Sequence, residues 1–130
     1  MLADDHLVFR FGLSTIVDRQ PDMCVVGEAW SAPSAVALYR AQRPDVTLMD
    51  LCMPGDLDTE NGGLEAIRVI RAEDPQARIV VVTIHSGDLV RQARAGGAAA
   101  ILAKDAPCDD VLAAIRAVHA DGGSIVTAGR

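Results

Sequence analysis

Apolar residues fall along this chain in two alternating rhythms. Short unbroken runs read as buried strands at residues 2–3, 23–26, 46–49, 79–82 and 99–103. Between them the apolar positions return at helical spacing. Residues 6–19 carry Val8, Phe11 and Ile16 near that spacing, with Leu7 and Leu13 widening the face. Residues 31–42 open on Ser31, with Pro33 in the first turn, and stop at Arg43-Pro44-Asp45. Residues 63–73 align Leu64, Ile67 and Ile70, with Pro75 beyond the end. Residues 87–95 form a shorter helix ended by Gly96-Gly97. Residues 107–120 present Val111, Leu112, Ile115 and Val118 to a core and end at Gly122-Gly123. Asp109 and Asp110 stand in the first turn of that helix, where its dipole favours anions. Continuous apolar strands separated by helices predict an α/β fold, a parallel sheet covered on both faces. Residues 56–62, DLDTENG, break the pattern and read as a solvated loop.

A chain of 130 residues is long enough for one domain with a real core. No apolar run is long enough to span a membrane, and the opening MLADDH has no signal segment. The expectation is a soluble, cytoplasmic chain with no membrane partner. Acidic residues outnumber basic ones, 18 to 12, which opposes a phosphate-binding surface. Sparse aromatics oppose a base-stacking platform. Cys24, Cys52 and Cys108 form no CxxC pair, so they read as reduced thiols rather than a zinc or redox motif.

The strand ends carry the chemistry. The first strand ends on Asp4 and Asp5, the third on Asp50, the fourth on Thr83 and the fifth on Lys104. Open parallel sheets bind ligands beyond the carboxyl ends of their strands, where strand order reverses. Like charges about 4 Å apart repel by roughly 4 kcal/mol at an effective dielectric near 20. Three converging carboxylates must therefore protonate, pair or hold a cation, and an all-oxygen donor set suits Mg²⁺. A carboxylate nucleophile, a metal, an amine and a hydroxyl together make a phosphoryl-transfer site. Each residue also has a plainer role. Asp4 and Asp5 can cap a helix, Asp50 can sit in a turn, Thr83 can be an ordinary strand threonine and Lys104 a solvated one. His6 and His85 read as solvent-facing or packing residues.

LADDH, LMDLCMPG, VVVT and LAKD, in that order, resemble the receiver domain of bacterial two-component response regulators. DDH and KD resemble the LuxR/NarL type in particular. The resemblance covers essentially the whole chain, as a single receiver domain over residues 1–130. It implies a flavodoxin-like (βα)5 sheet in the order 2-1-3-4-5. It also implies that Asp50 accepts a phosphoryl group from a sensor histidine kinase. Asp5 would bind Mg²⁺ directly, Asp4 directly or through water, and the backbone carbonyl of Cys52 would be a further ligand beside Asp50. Thr83 and Lys104 would contact the phosphoryl oxygens. The implied protein is a signalling switch rather than a metabolic enzyme, promoting its own phosphorylation and dephosphorylation. Its partners would be the kinase and a second copy in a homodimer. DNA would be met only through a helix-turn-helix output domain absent from this chain.

Four features depart from that pattern. Few residues precede the aspartate pair, which should weaken the central ladder. The run 56–62 lengthens the loop beside the site. Ile101 stands where an aromatic switch residue is expected, which puts the coupling to Thr83 in question. Ile84 follows Thr83 where a smaller residue is common, narrowing the approach to Asp50. DLDTENG fits no calcium loop, because Asn61 and Ile67 stand where glycine and glutamate are needed. Two alternatives follow: a degenerate receiver that binds a partner without phosphate, and a haloacid-dehalogenase-type Mg²⁺ phosphatase, for which Leu51-Cys52 after Asp50 supplies no D-x-D.

Overall fold

The computed structural model describes residues 1–55 and 61–121. Most of the loop expected at 56–62, and the glycine stop at 122–123, lie outside the described residues. Five strands alternate with five helices: β1 Leu2–Ala3, α1 Leu7–Asp18, β2 Glu28–Ala29, α2 Ala32–Gln42, β3 Thr47–Met49, α3 Gly62–Glu73, β4 Ile79–Thr83, α4 Asp88–Ala95, β5 Ala100–Ala103 and α5 Cys108–Asp121. The strands are parallel, in the order β2-β1-β3-β4-β5. Chain order therefore reverses between β1 and β3, and the acids of the sequence pattern sit at that reversal.

Alternation along the strands divides the core between the two faces of the sheet. Ala3, Met49, Ile79, Val81 and Ile101 pack with Tyr39 of α2, Leu64, Ile67 and Ile70 of α3, and Ala93 of α4. Leu2, Leu48, Val80, Val82 and Leu102 pack with Leu13 and Val17 of α1 and Val111, Leu112 and Val118 of α5. Burying Leu64, Ile67 and Ile70 together on α3 agrees with the periodicity of that segment.

Two sequence expectations shift. The second strand is not at 23–26 but at Glu28–Ala29, paired to Leu2 and Ala3. Its one neighbour in the sheet is β1, which is two residues long, so the earlier run has no ladder to join. Met23 and Val25 instead pack their side chains against the second core cluster, and the Val25 N–H bonds to the Asp18 carboxylate at 2.9 Å. The second shift is rotational. The buried face of α1 runs through Phe9, Leu13, Ile16 and Val17, while Leu7, Val8 and Phe11 are exposed at 67%, 86% and 70%. Apolar residues lie on both sides of this helix, and the phase is set by the side that reaches α5 and the sheet. Met1 prolongs the short β1: its amino group donates to the Val46 carbonyl and its carbonyl accepts from Leu48 N–H.

Two turns position the site. Ser31 and Ser34 cap α2 reciprocally, and Ala32 N–H reaches the Pro54 carbonyl at 2.8 Å, fastening the loop after β3. Trp30, just before that cap, is exposed and follows Ala29, whose carbonyl accepts from Asp4 N–H at 3.0 Å. At the start of α3 the backbone passes very close to the chain behind Asp50. A Cβ on Gly63 would lie 1.7 Å from the Asp50 carbonyl oxygen, so only glycine fits there.

Candidate functional site

Asp50 directly follows β3 at 3% exposure and Asp4 directly follows β1 at 5%. Asp5 and His6 follow in the exposed turn into α1. One ligand atom from each of Asp4, Asp5, His6 and Asp50 falls within 4.8 Å of the others. Lys104, just past β5, reaches across this edge. Its Nζ lies 2.8 Å from Asp4 Oδ2, 3.2 Å from Asp50 Oδ2 and 3.0 Å from His6 Nδ1. The ammonium also lies 4.7 Å from the centre of the Phe9 ring, a cation–π contact that steadies it over an apolar wall.

The backbone holds the acids in place. The His6 N–H donates to Asp4 Oδ1 at 2.8 Å, and the Cys52 N–H to Asp50 Oδ1 at 3.3 Å. Arg10, one turn into α1, donates to the Asp4 carbonyl at 2.7 Å and to Glu28 at 2.8 Å, tying β1 to β2. Burial pushes the Asp50 carboxyl above the ordinary aspartate range, and the charge of Asp4 adds to this against the pull of Lys104. For Lys104, burial works against the ammonium, but the hydrogen bond to Asp4 and the charges of Asp50 and Asp4 outweigh it and raise its pKa. A buried carboxylate whose ionisation is still disfavoured beside a lysine is a site with room for more positive charge. The donor set, carboxylate oxygens at the carboxyl end of a parallel sheet, fits a hard divalent cation.

The sequence-predicted residues are not all in mutual contact. Asp4, Asp5, Asp50 and Lys104 come together. Thr83 is buried at the end of β4, and its Oγ1 accepts from the His85 N–H at 3.1 Å rather than meeting Asp50. Cys52 lies beside Asp50 through its N–H. Ile84 is largely exposed and lines a groove of about 640 Å³ with Thr83, Ile101 and Lys104; Asp50 is not part of that lining. Ile101 is buried in the core cluster against which Val90 of α4 packs.

Both histidines make contacts that the sequence pattern does not announce. His6 is solvent-facing, and its Nδ1 lies 3.2 Å from Asp4 Oδ1 and 3.0 Å from Lys104 Nζ, so it donates to the acid or accepts from the ammonium according to its tautomer; its place directly after the aspartate pair was the available signal. His85 Nε2 lies 2.9 Å from Cys52 Sγ, a contact between residues 33 apart that no local pattern announces. Arg10 was also missed, although it lies one helical turn beyond His6, on the side facing the strand ends.

A parallel sheet with an acid and lysine cluster at its order reversal defines the class, and the comparisons with known proteins agree. Residues 1–116 match the response regulator receiver domain family. The response regulator UvrY of Escherichia coli K12 is 38% identical over 120 residues, 92% of this chain and 53% of that protein. The nitrate/nitrite response regulator NarL of the same organism is 35% identical over 117 residues, 88% of this chain and 51% of that protein. A crystal structure of a LuxR-family two-component response regulator from Aurantimonas superposes with a TM-score of 0.87 at 38% identity, covering 98% of this chain and 86% of that one. The chain belongs to the response regulator receiver domain family and, within it, to the LuxR/NarL type. It spans about half the length of the curated relatives it matches. The phosphatase alternative falls with that assignment.

Proposed function

We propose that Asp50 is the phosphoacceptor of a two-component signalling switch. The observation that carries this is a buried aspartate at the β1/β3 reversal, its carboxyl raised above the ordinary range, flanked by Asp4, Asp5 and Lys104. An Asp50 carboxylate oxygen attacks the phosphorus of a kinase phosphohistidine. The P–N bond breaks, and its electron pair stays on the departing imidazole. Asp4, Asp5, Asp50 and the Cys52 carbonyl would hold Mg²⁺, which supplies charge neutralisation to the transferring oxygens. Lys104, already on Asp50, turns its ammonium to the new phosphoryl group, and Thr83 donates its hydroxyl. The added charge, about −1.5 to −2, moves both residues and repacks the face formed by α4, β5 and α5.

The exposed apolar face of α1, beginning directly after the acid pair, is the docking surface for the sensor kinase. The output is control of transcription. The transcriptional regulatory protein MctR of Rhizobium johnstonii, 32% identical over 130 residues, carries that role in its name. The acidic balance of this chain leaves DNA contact to an output domain outside these residues.

Intact mass after incubation with acetyl phosphate, with and without Mg²⁺, tests the reading. The expected result is a Mg²⁺-dependent gain of one phosphoryl group, absent in Asp50→Asn. No gain in the wild-type protein, or the same gain in Asp50→Asn, would overturn it.

A further inference from the structure

The loops on either side of Asp50 are joined by a side-chain pair that the phosphoryl-transfer scheme does not use. Cys52 Sγ, in the loop after β3, lies 2.9 Å from His85 Nε2, in the loop after β4. Both residues are half-buried. A thiol within hydrogen-bond reach of an imidazole is the arrangement of an activated sulfur nucleophile, because the base takes the proton as sulfur attacks. The backbone on each side is fixed. The Cys52 N–H donates to Asp50 Oδ1 at 3.3 Å, and the His85 N–H donates to Thr83 Oγ1 at 3.1 Å. The pair therefore links the residue whose N–H holds Asp50 to the residue whose N–H holds Thr83. Cys24 and Cys108 are more exposed, but neither has a histidine partner among the described hydrogen bonds, and none of the three cysteines forms a disulfide.

We propose that Cys52 and His85 form a modification site at which a hydroperoxide oxidises Cys52 to the sulfenic acid and thereby controls phosphorylation of Asp50. Sulfur attacks the terminal peroxide oxygen, so an S–O bond forms and the O–O bond breaks. The sulfur loses two electrons and the peroxide is reduced. His85 Nε2 accepts the thiol proton and returns it to the departing hydroxide or alkoxide, which leaves as water or alcohol. The added oxygen cannot occupy the 2.9 Å gap, so the two loops part. The Cys52 N–H then leaves Asp50, and the His85 N–H shifts at Thr83. The effect on Asp50 rests on its reading as the phosphoacceptor; the thiol chemistry does not.

The test treats the reduced protein with limiting hydrogen peroxide in the presence of dimedone, which traps sulfenic acids, and maps the adducts by peptide mass. Exposure alone favours Cys24 and Cys108; the pair favours Cys52. We expect Cys52 to be labelled faster than either by roughly tenfold or more, and His85→Ala to remove that advantage without changing the other two. His85→Gln, checked for folding by its thermal melt, gives the same answer if the alanine variant is unstable. Phosphorylation by acetyl phosphate with Mg²⁺ is then compared before and after peroxide. It falls severalfold in the wild type and does not change in Cys52→Ser relative to its own untreated control. Preferential labelling of Cys24 or Cys108, or no effect of His85 on the Cys52 rate, overturns the thiol site. Selective labelling with undiminished phosphorylation overturns the control of Asp50. If the reduced protein takes no phosphoryl group at all, the acceptor reading and the control fall together, while selective labelling still upholds the thiol site.

Discussion

Lys104 places its ammonium 2.8 Å from Asp4 and 3.2 Å from Asp50, so its removal leaves two buried carboxylates facing each other. Breaking one partner out of a buried pair costs about 3–5 kcal/mol. Lys104→Ala should lower the thermal midpoint in Mg²⁺-free buffer, and added Mg²⁺ should recover more of it than in the wild type. A midpoint that does not fall would contradict the ion pair. Asp50 behaves oppositely. Its folded pKa lies above the usual 3.8, so the fold holds its proton better than the unfolded chain does. The resulting penalty is absent below that usual value. It sets in as pH rises toward the folded pKa and is complete above it. Asp50→Asn should therefore raise the midpoint by a few degrees at neutral pH, and the gain should shrink as pH falls back through that window. Melts of both proteins across the acid range check this, and a gain that grows on acidification would refute it.

At the scale of elements, the start of α3 and the exposed side of α1 carry separate predictions. The Asp50 carbonyl leaves no space for a side chain on Gly63, and the atom in the way is backbone, which cannot swing aside. Gly63→Ala should cost on the order of 1–3 kcal/mol or more in denaturant melts and should slow Asp50 phosphorylation by displacing the carbonyl behind it. Wild-type stability in that variant would mean that the close approach is absent. Phe11 stands exposed on α1, so Phe11→Ser removes part of the proposed docking surface without opening the core. Transfer from a kinase phosphohistidine should slow by about tenfold or more, while phosphorylation by acetyl phosphate stays unchanged. An equal loss with both donors would place the fault in the site. The sequence pattern caught nine of the ten elements in place and set the second strand on the wrong residues, 23–26 instead of Glu28–Ala29. It misplaced β2 and the face of α1, because both are decided by partners. The run 23–26 is as apolar as a strand, but a strand forms only where a neighbour offers its hydrogen bonds. Val8 and Phe11 share a period with Ile16, but Phe9, Leu13, Ile16 and Val17 share the one that α5 and the sheet accept.

For the whole molecule, the order of the sheet decides how much of the site could be read in advance. Residues that finish strands are delivered to one edge by the fold itself, so Asp4, Asp50 and Lys104 were legible from position alone. The family pattern added their proposed roles. Contacts made sideways between loops were not legible: Cys52 and His85 belong to unrelated segments, and only the pairing of β3 with β4 brings their loops together. The same applies to Phe9 beneath Lys104, which the sequence pattern does not single out. Among the described residues no helix is long and apolar enough to cross a membrane. The chain has a single tryptophan, Trp30, exposed on the residue after the one that receives the Asp4 N–H. Any event that moves the acidic turn therefore pulls on the backbone that carries the indole. The chain has its own fluorophore close to the acidic turn, and the proposed cation binding and phosphorylation should each change its ultraviolet emission, readable in real time with no dye attached.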